Sequence, residues 1–154
     1  MNRNFAERPL EIFLADDDAD DRSLFEEAVL ETKSLVKLTT VESGSQLMEL
    51  LSEINEPPPP DLIFLDINMP GKTGKVCLRE IRSNRKFDRV PIIMFSTSSF
   101  HYDIDETYKN GANLYVCKSV FFEDEINALQ KLFSLNWQAY LVSPSKEKFI
   151  FSLE

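Results

Sequence analysis

Histidine is almost missing: His101 is the only one, placed in a polar stretch that reads as surface, so no site that needs two imidazoles can be assembled from this chain. Cysteine is nearly as scarce. Cys77 and Cys117 stand far apart with no metal-binding spacing, and both read as reduced, small core residues. Positive charge is short as well, with 17 Lys and Arg against 26 Asp and Glu, a formal net charge of −9, and no basic patch to interrupt the excess. Such a surface repels polyphosphates and anionic lipid, which argues against nucleic acid and membranes as partners. Long apolar runs are absent too; the longest are strand-sized, and residues 1–9 form a polar leader without an apolar signal core, so the expected location is cytoplasmic. What is present suffices for one core. The 154 residues are 43% apolar and include twelve phenylalanines, which fits one domain.

The stretch around which the rest is organised is Asp61-Leu62-Ile63-Phe64-Leu65-Asp66-Ile67-Asn68-Met69-Pro70-Gly71. Its apolar run predicts a strand buried on both faces, ended by the Pro70-Gly71 turn, which puts Asp66 at the strand's carboxyl end. Open α/β sheets bind their ligands at that edge.

Four other strands are predicted on the same grounds: Leu10 to Ala15, Val36 to Val41, Pro91 to Phe95 and Leu114 to Cys117. Between them lie helical patterns. Leu24, Phe25, Ala28 and Val29 share one face after the acidic run Asp16-Asp17-Asp18-Ala19-Asp20-Asp21, in which Asp18, Asp20 and Asp21 suit a cap and first turn. Ser43-Gly44-Ser45-Gln46 offers a capping box to a helix whose stripe is Leu47, Leu50, Leu51 and Ile54. Pro57 to Pro60 form a stiff connector, and Cys77, Leu78 and Ile81 mark a third helix. Ile104, Thr107 and Tyr108 mark a fourth, stopped at Asn110-Gly111, and Phe122, Ile126, Leu129 and Phe133 a fifth. Five alternations of strand and helix predict a parallel sheet covered on both sides. The domain is expected to span 10–135. The extension 136–154 carries Trp137, Tyr140, Phe149, Ile150 and Phe151, too apolar for a free tail, and is expected to pack on the domain or on a partner chain.

In such a sheet the strand ends gather Asp16, Asp17, Asp66, Ser96 and Lys118 at one edge. Three close carboxylates stay ionised near neutral pH most simply around a hard divalent cation, and Mg²⁺ suits an oxygen-only site. A carboxylate there can attack phosphorus, while the Lys118 ammonium neutralises charge on the phosphoryl oxygens and Ser96 donates a hydrogen bond to one of them. That bond exists only in the phosphorylated state, so it can draw the loop after the fourth strand inward.

Leu14-Ala15-Asp16-Asp17, Leu65-Asp66-Ile67-Asn68-Met69-Pro70-Gly71, Ser96-Thr97 and Tyr115-Val116-Cys117-Lys118 together resemble the receiver domain of two-component response regulators, in order and spacing. The resemblance implies a flavodoxin-like (βα)5 fold, a five-stranded sheet in the order 2-1-3-4-5. It implies phosphorylation of Asp66 by a sensor histidine kinase or a histidine phosphotransfer protein in a phosphorelay. It also implies Mg²⁺, with Mn²⁺ able to substitute, on Asp17, Asp66 and the backbone carbonyl of Asn68, with Asp16 acting through water. Ser96 matches the switch hydroxyl, Lys118 the phosphate-contacting lysine, and Tyr115 the aromatic that turns inward on activation. Asn68 and Ser98 match positions that modulate hydrolysis; both are neutral, so no fast built-in dephosphorylation is expected. One departure stands out: the family's lysine is usually followed by proline, and here by Ser119. The apolar Val120-Phe121-Phe122 beyond it suits a contact site.

The leading expectation is a stand-alone phosphorylatable switch, not an enzyme with a substrate of its own. Its output is a change in binding to an unknown downstream protein or to itself, with residues 103–135 or the extension as possible pairing surfaces. A Mg²⁺ phosphohydrolase with an aspartyl phosphate is the alternative from another class, but it needs an acid or base where Asn68 stands. A pseudo-receiver acting as a constitutive binding module is the third reading, and the filled charged positions speak against it.

Overall fold

The computed structural model describes residues 8–55, 59–137 and 145–151. Along the chain run β1 (Leu10–Ala15), α1 (Ala19–Glu31), β2 (Val36–Val41), α2 (Gly44–Ser52), β3 (Leu62–Leu65), α3 (Gly74–Arg82), β4 (Ile92–Ser96), α4 (His101–Lys109), β5 (Leu114–Cys117), α5 (Phe122–Phe133), α6 (Lys146–Phe149) and β6 (Ile150–Phe151). All the strands pair in parallel, in the order β2-β1-β3-β4-β5-β6. The flavodoxin-like parallel sheet is therefore present, but with six strands, not the expected five. The extra strand is only Ile150–Phe151, paired with Tyr115 and Val116, and two residues leave no alternation to read in a sequence.

Alternation sorts the side chains of the sheet onto two faces. Ile12, Leu14, Leu62, Phe64, Ile93, Phe95, Leu114 and Val116 meet Phe25, Ala28 and Val29 of α1 and Leu129 and Leu132 of α5. Phe13, Ala15, Ile63, Leu65 and Met94 meet Leu47 and Leu51 of α2, Cys77, Leu78 and Ile81 of α3, and Ile104 of α4. Beneath α1 the rings of Phe25, Phe64 and Phe95 stand edge to face, with centroids 5.0 to 6.1 Å apart.

Helix starts follow the local chemistry. Asp18 caps α1 by accepting from the Asp21 amide, and Ser43 caps α2 by accepting from Gln46. The Gln46 side chain reaches back one residue further than a capping box, taking the Glu42 amide at 2.8 Å. Gly111, at φ +98°, supplies the left-handed turn after α4. Gly74 opens α3 so close beneath β3 that a Cβ there would lie 2.0 Å from the Asp66 carbonyl oxygen.

Three packing expectations change. Leu24, placed on the inward face of α1, is 42% exposed, because Phe25 takes the space over β3 and β4 and turns its neighbour outward. Phe122, at the very start of α5, is likewise partly exposed, at 37%. Cys77 is fully buried, but Cys117 is only half-buried, at the strand's open end. Within the connector Pro57 to Pro60, Pro57 and Pro58 lie outside the described residues, as does Tyr140 of the extension. Among the described residues no helix is long and apolar enough to cross a membrane.

Candidate functional site

β1, β3, β4 and β5 end side by side, and the residue that follows or closes each is polar: Asp16 and Asp17, Asp66, Ser96, and Lys118. Carboxylate oxygens of Asp16, Asp17 and Asp66 lie within 4.8 Å of one another. Asp16 and Asp66 are buried and Asp17 is exposed, so the cluster is open on one side. Lys118 closes it from β5. Its ammonium is 2.6 Å from Asp16 Oδ2, 2.9 Å from Asp21 Oδ2 and 3.7 Å from Asp66 Oδ2, with the side chain only 8% exposed.

The electrostatics follow from burial and crowding. Burial pushes the Asp66 carboxyl up to about 6; Lys118 and the amides of Ile67 and Asn68 pull it down, and Asp16 pushes it further up. Asp16 is raised by burial too, against the hydrogen bonds from Lys118 and the Asp18 amide. For Lys118 burial works to lower the ammonium, but the hydrogen bonds to Asp16 and Asp21 and the charge of Asp66 outweigh it and hold it well above the usual lysine range. One ammonium thus faces a surplus of carboxylates, an arrangement that favours a divalent cation with oxygen ligands.

Ser96 is fully buried; its hydroxyl oxygen accepts from the Ser98 amide at 3.2 Å, and its side chain lies within hydrogen-bonding reach of the Tyr115 hydroxyl. Ser98 is engaged elsewhere: its hydroxyl donates to Asp103 on α4, and its carbonyl accepts from Tyr115 Oη at 2.8 Å. Tyr115 points inward and is 1% exposed. Asn68 lies exposed in the loop after β3. Lys118 is further placed by its amide, which donates to Ser96 O at 2.7 Å, and Ser119 ties the following loop to α5 by donating to Asp124 Oδ2 at 2.8 Å. Val120 and Phe121 of that loop are 92% and 66% exposed.

Two acidic side chains beside Lys118 escaped sequence reasoning. Asp21 serves α1 as a first-turn residue and pairs with Lys118 across 97 positions of sequence. Glu125 of α5 has its Oε2 buried without a hydrogen-bond partner among the described residues, and burial pushes its carboxyl up to about 7, with Lys118 pulling it down and Asp21 and Asp16 adding to the rise. The only available signal was the surplus of acid near an otherwise lone lysine.

A family model for the response regulator receiver domain matches residues 12–130. Response regulator Rcp1 of Synechocystis sp. is 31% identical over 141 residues, covering 89% of this chain and 95% of Rcp1. The nitrate/nitrite response regulator NarL of Escherichia coli K12 is 30% identical over 125 residues, covering 81% of this chain and 55% of NarL. Among solved structures, the phosphorylated cyanobacterial phytochrome response regulator RcpA aligns with a TM-score of 0.75 at 29% identity, over 90% of this chain and 98% of RcpA. The Mn²⁺-bound form of Rcp1 aligns with a TM-score of 0.73 at 29% identity, over 89% and 100%.

Proposed function

The chain belongs to the response regulator receiver family, and from that premise we propose that Asp66 is its phosphoacceptor and that the molecule is a stand-alone switch of a two-component phosphorelay. The observation that carries this reading is the cluster of Asp16, Asp17 and Asp66 oxygens within 4.8 Å, closed by the Lys118 ammonium. A carboxylate oxygen of Asp66 attacks the phosphorus of a phosphohistidine on a sensor histidine kinase or phosphotransfer protein. The O–P bond forms as the P–N bond breaks, and the electron pair stays on the imidazole. The neighbours named for phytochrome make a phytochrome-type kinase the first donor to try.

Asp17, Asp66, the Asn68 carbonyl and, through water, Asp16 hold Mg²⁺ in this reading, and the Mn²⁺ found in Rcp1 supports substitution by that ion. The ion supplies charge neutralisation at the phosphoryl oxygens. Lys118 moves from its Asp16 and Asp21 partners toward the new dianion, and the Ser96 hydroxyl turns to donate to one of its oxygens. Tyr115 holds the loop that carries Ser96. Asn68 and Ser98 border the path of an attacking water without a strong base, so the acyl phosphate is long-lived. The chain catalyses only its own phosphorylation and slow dephosphorylation. Its output is a changed affinity for a downstream protein or for itself.

The test is an intact mass after incubation with Mg²⁺ and acetyl phosphate. Gain of one phosphoryl group by the wild type but not by Asp66→Asn is the expected result. Equal gain by the variant, or none by the wild type with Mg²⁺ bound, overturns the reading.

A further inference from the structure

β6 and the residue before it are fastened to one side chain of the candidate site. Ile150 and Phe151 pair with the backbone of Tyr115 and Val116. Phe149 is completely buried, its ring 6.2 Å from that of Tyr115 and 5.2 Å, edge to face, from that of Tyr108 on α4. Phe149 belongs to the core under α2, α3 and α4, while Phe151 packs on the opposite face of the sheet, so the segment grips the β5 edge from both sides. Tyr115 is therefore held by its backbone and its ring at once.

The Tyr115 hydroxyl then reaches the loop after β4. It donates to the Ser98 carbonyl, the Ser98 amide donates to Ser96 Oγ, and the Ser98 hydroxyl donates to Asp103, which pairs with Lys75 of α3 at 2.6 Å. Asp103 is held below the usual carboxylate range: its burial works upward, but the hydrogen bonds from Lys75 and Ser98 prevail. On the far side the loop is thus pinned to two helices. On the near side the bond from the Tyr115 hydroxyl ties it to the β5 edge, and the Tyr115 ring stays inward because Phe149 covers it.

Resting on the reading of Asp66 as phosphoacceptor, we propose that Phe149, with β6, is a positioning element for phosphoryl transfer: it sets Tyr115 and through Tyr115 the Ser96–Ser98 loop. Phe149 touches no reacting atom. Its action is a coupling, and coupling is reciprocal: whatever factor a docked Phe149 adds to the stability of the phosphorylated site, phosphorylation adds to the docking of Phe149. A plain core residue carries no such reciprocity.

The experiment has two arms on the full chain. In the wild type, hydrogen exchange of the segment 145–151 is followed before and after phosphorylation with acetyl phosphate and Mg²⁺; the expected result is slowing on the order of tenfold. In the second arm the phosphorylation rate constant is measured for Phe149→Ala, Tyr115→Phe and the double variant. Each single change lowers it about tenfold, and the double variant is no worse than either, because both cut the same connection. Phe149→Leu restores most of the rate. Unchanged exchange at 145–151 upon phosphorylation overturns the proposal even if Phe149→Ala proves too unstable to assay. So does a Phe149→Ala chain that loses thermal stability yet keeps its rate. A wild type that gains no phosphoryl group overturns the parent reading instead, and the mass spectrum separates that failure from these.

Discussion

Arg82 and Lys118 sit at opposite ends of the same sheet, and the sheet treats the two cations differently. Arg82, at the end of α3, lies by the amino ends of β4 and β5. Its guanidinium donates to the carbonyls of Phe87, Val90 and Gly111 and to Asn113 Oδ1, at 2.8 to 2.9 Å. Asn113 Oδ1 in turn accepts from the Ile92 amide. All these partners are neutral, and burial alone pulls the guanidinium below its usual range, with Asp88 a weaker upward influence. Lys118, at the carboxyl ends, is surrounded by carboxylates that cannot all be satisfied by one ammonium. A cation with fixed neutral acceptors is a structural fastening. A cation shared among competing anions can be moved when a new anion arrives, and only the second arrangement serves a phosphoryl group.

The contrast can be broken from either side. Arg82→Met should cost about 4 kcal/mol, since it removes four hydrogen bonds that tie α3 to the segments before β4 and β5. Denaturant unfolding measures that loss, and the folded fraction should still gain a phosphoryl group at the wild-type rate. Lys118→Met should do the reverse: the acetyl phosphate rate falls about a hundredfold, the scale of losing one preorganised charge at a transition state, with Mg²⁺-saturated stability nearly kept. Equal effects of the two changes on rate would erase the distinction.

The smallest effect concerns Asp66 itself. Its carboxyl, raised from 3.8 to about 6, binds a proton more tightly folded than unfolded. The stability this contributes is fully present below about pH 4 and is lost as pH rises through about 6. Ionised Asp66 is thus a cost to the metal-free fold at pH 7, and Asp66→Asn should be more stable there by on the order of 2 kcal/mol. The gap should close by pH 4 and shrink with Mg²⁺, as thermal melts across that range would reveal.

What the sequence made legible was whatever has a period or a local cap. The bounds of β1 and β2, the Asp18 and Ser43 caps and the left-handed Gly111 follow from neighbours a few residues away. The gathering of Asp16, Asp17, Asp66 and Lys118 was legible because parallel topology alone brings strand ends together. The rest depends on long-range partners that leave no local mark. Asp21 looks like any first-turn acid until Lys118 arrives beside it, and Arg82 looks like the polar end of a helix until two distant loops present their carbonyls. Leu24 and Phe25 are equal by periodicity, and only the aromatic trio under α1 decides between them. β6 is too short for any pattern, and its place is fixed by the packing of the Phe149 ring against Tyr108 and Tyr115.

The glycine that opens α3 gives the site a peculiar mutational profile. A methyl group at Gly74 would lie 2.0 Å from the Asp66 carbonyl oxygen and 2.9 Å from the Ile67 Cα. Either α3 or the backbone bearing Asp66 has to retreat. In a saturation library sorted once for solubility and once for phosphoryl gain, position 74 should pass the first sort far more often than the second. A residue with no side chain would then score like a member of the charged cluster it never touches.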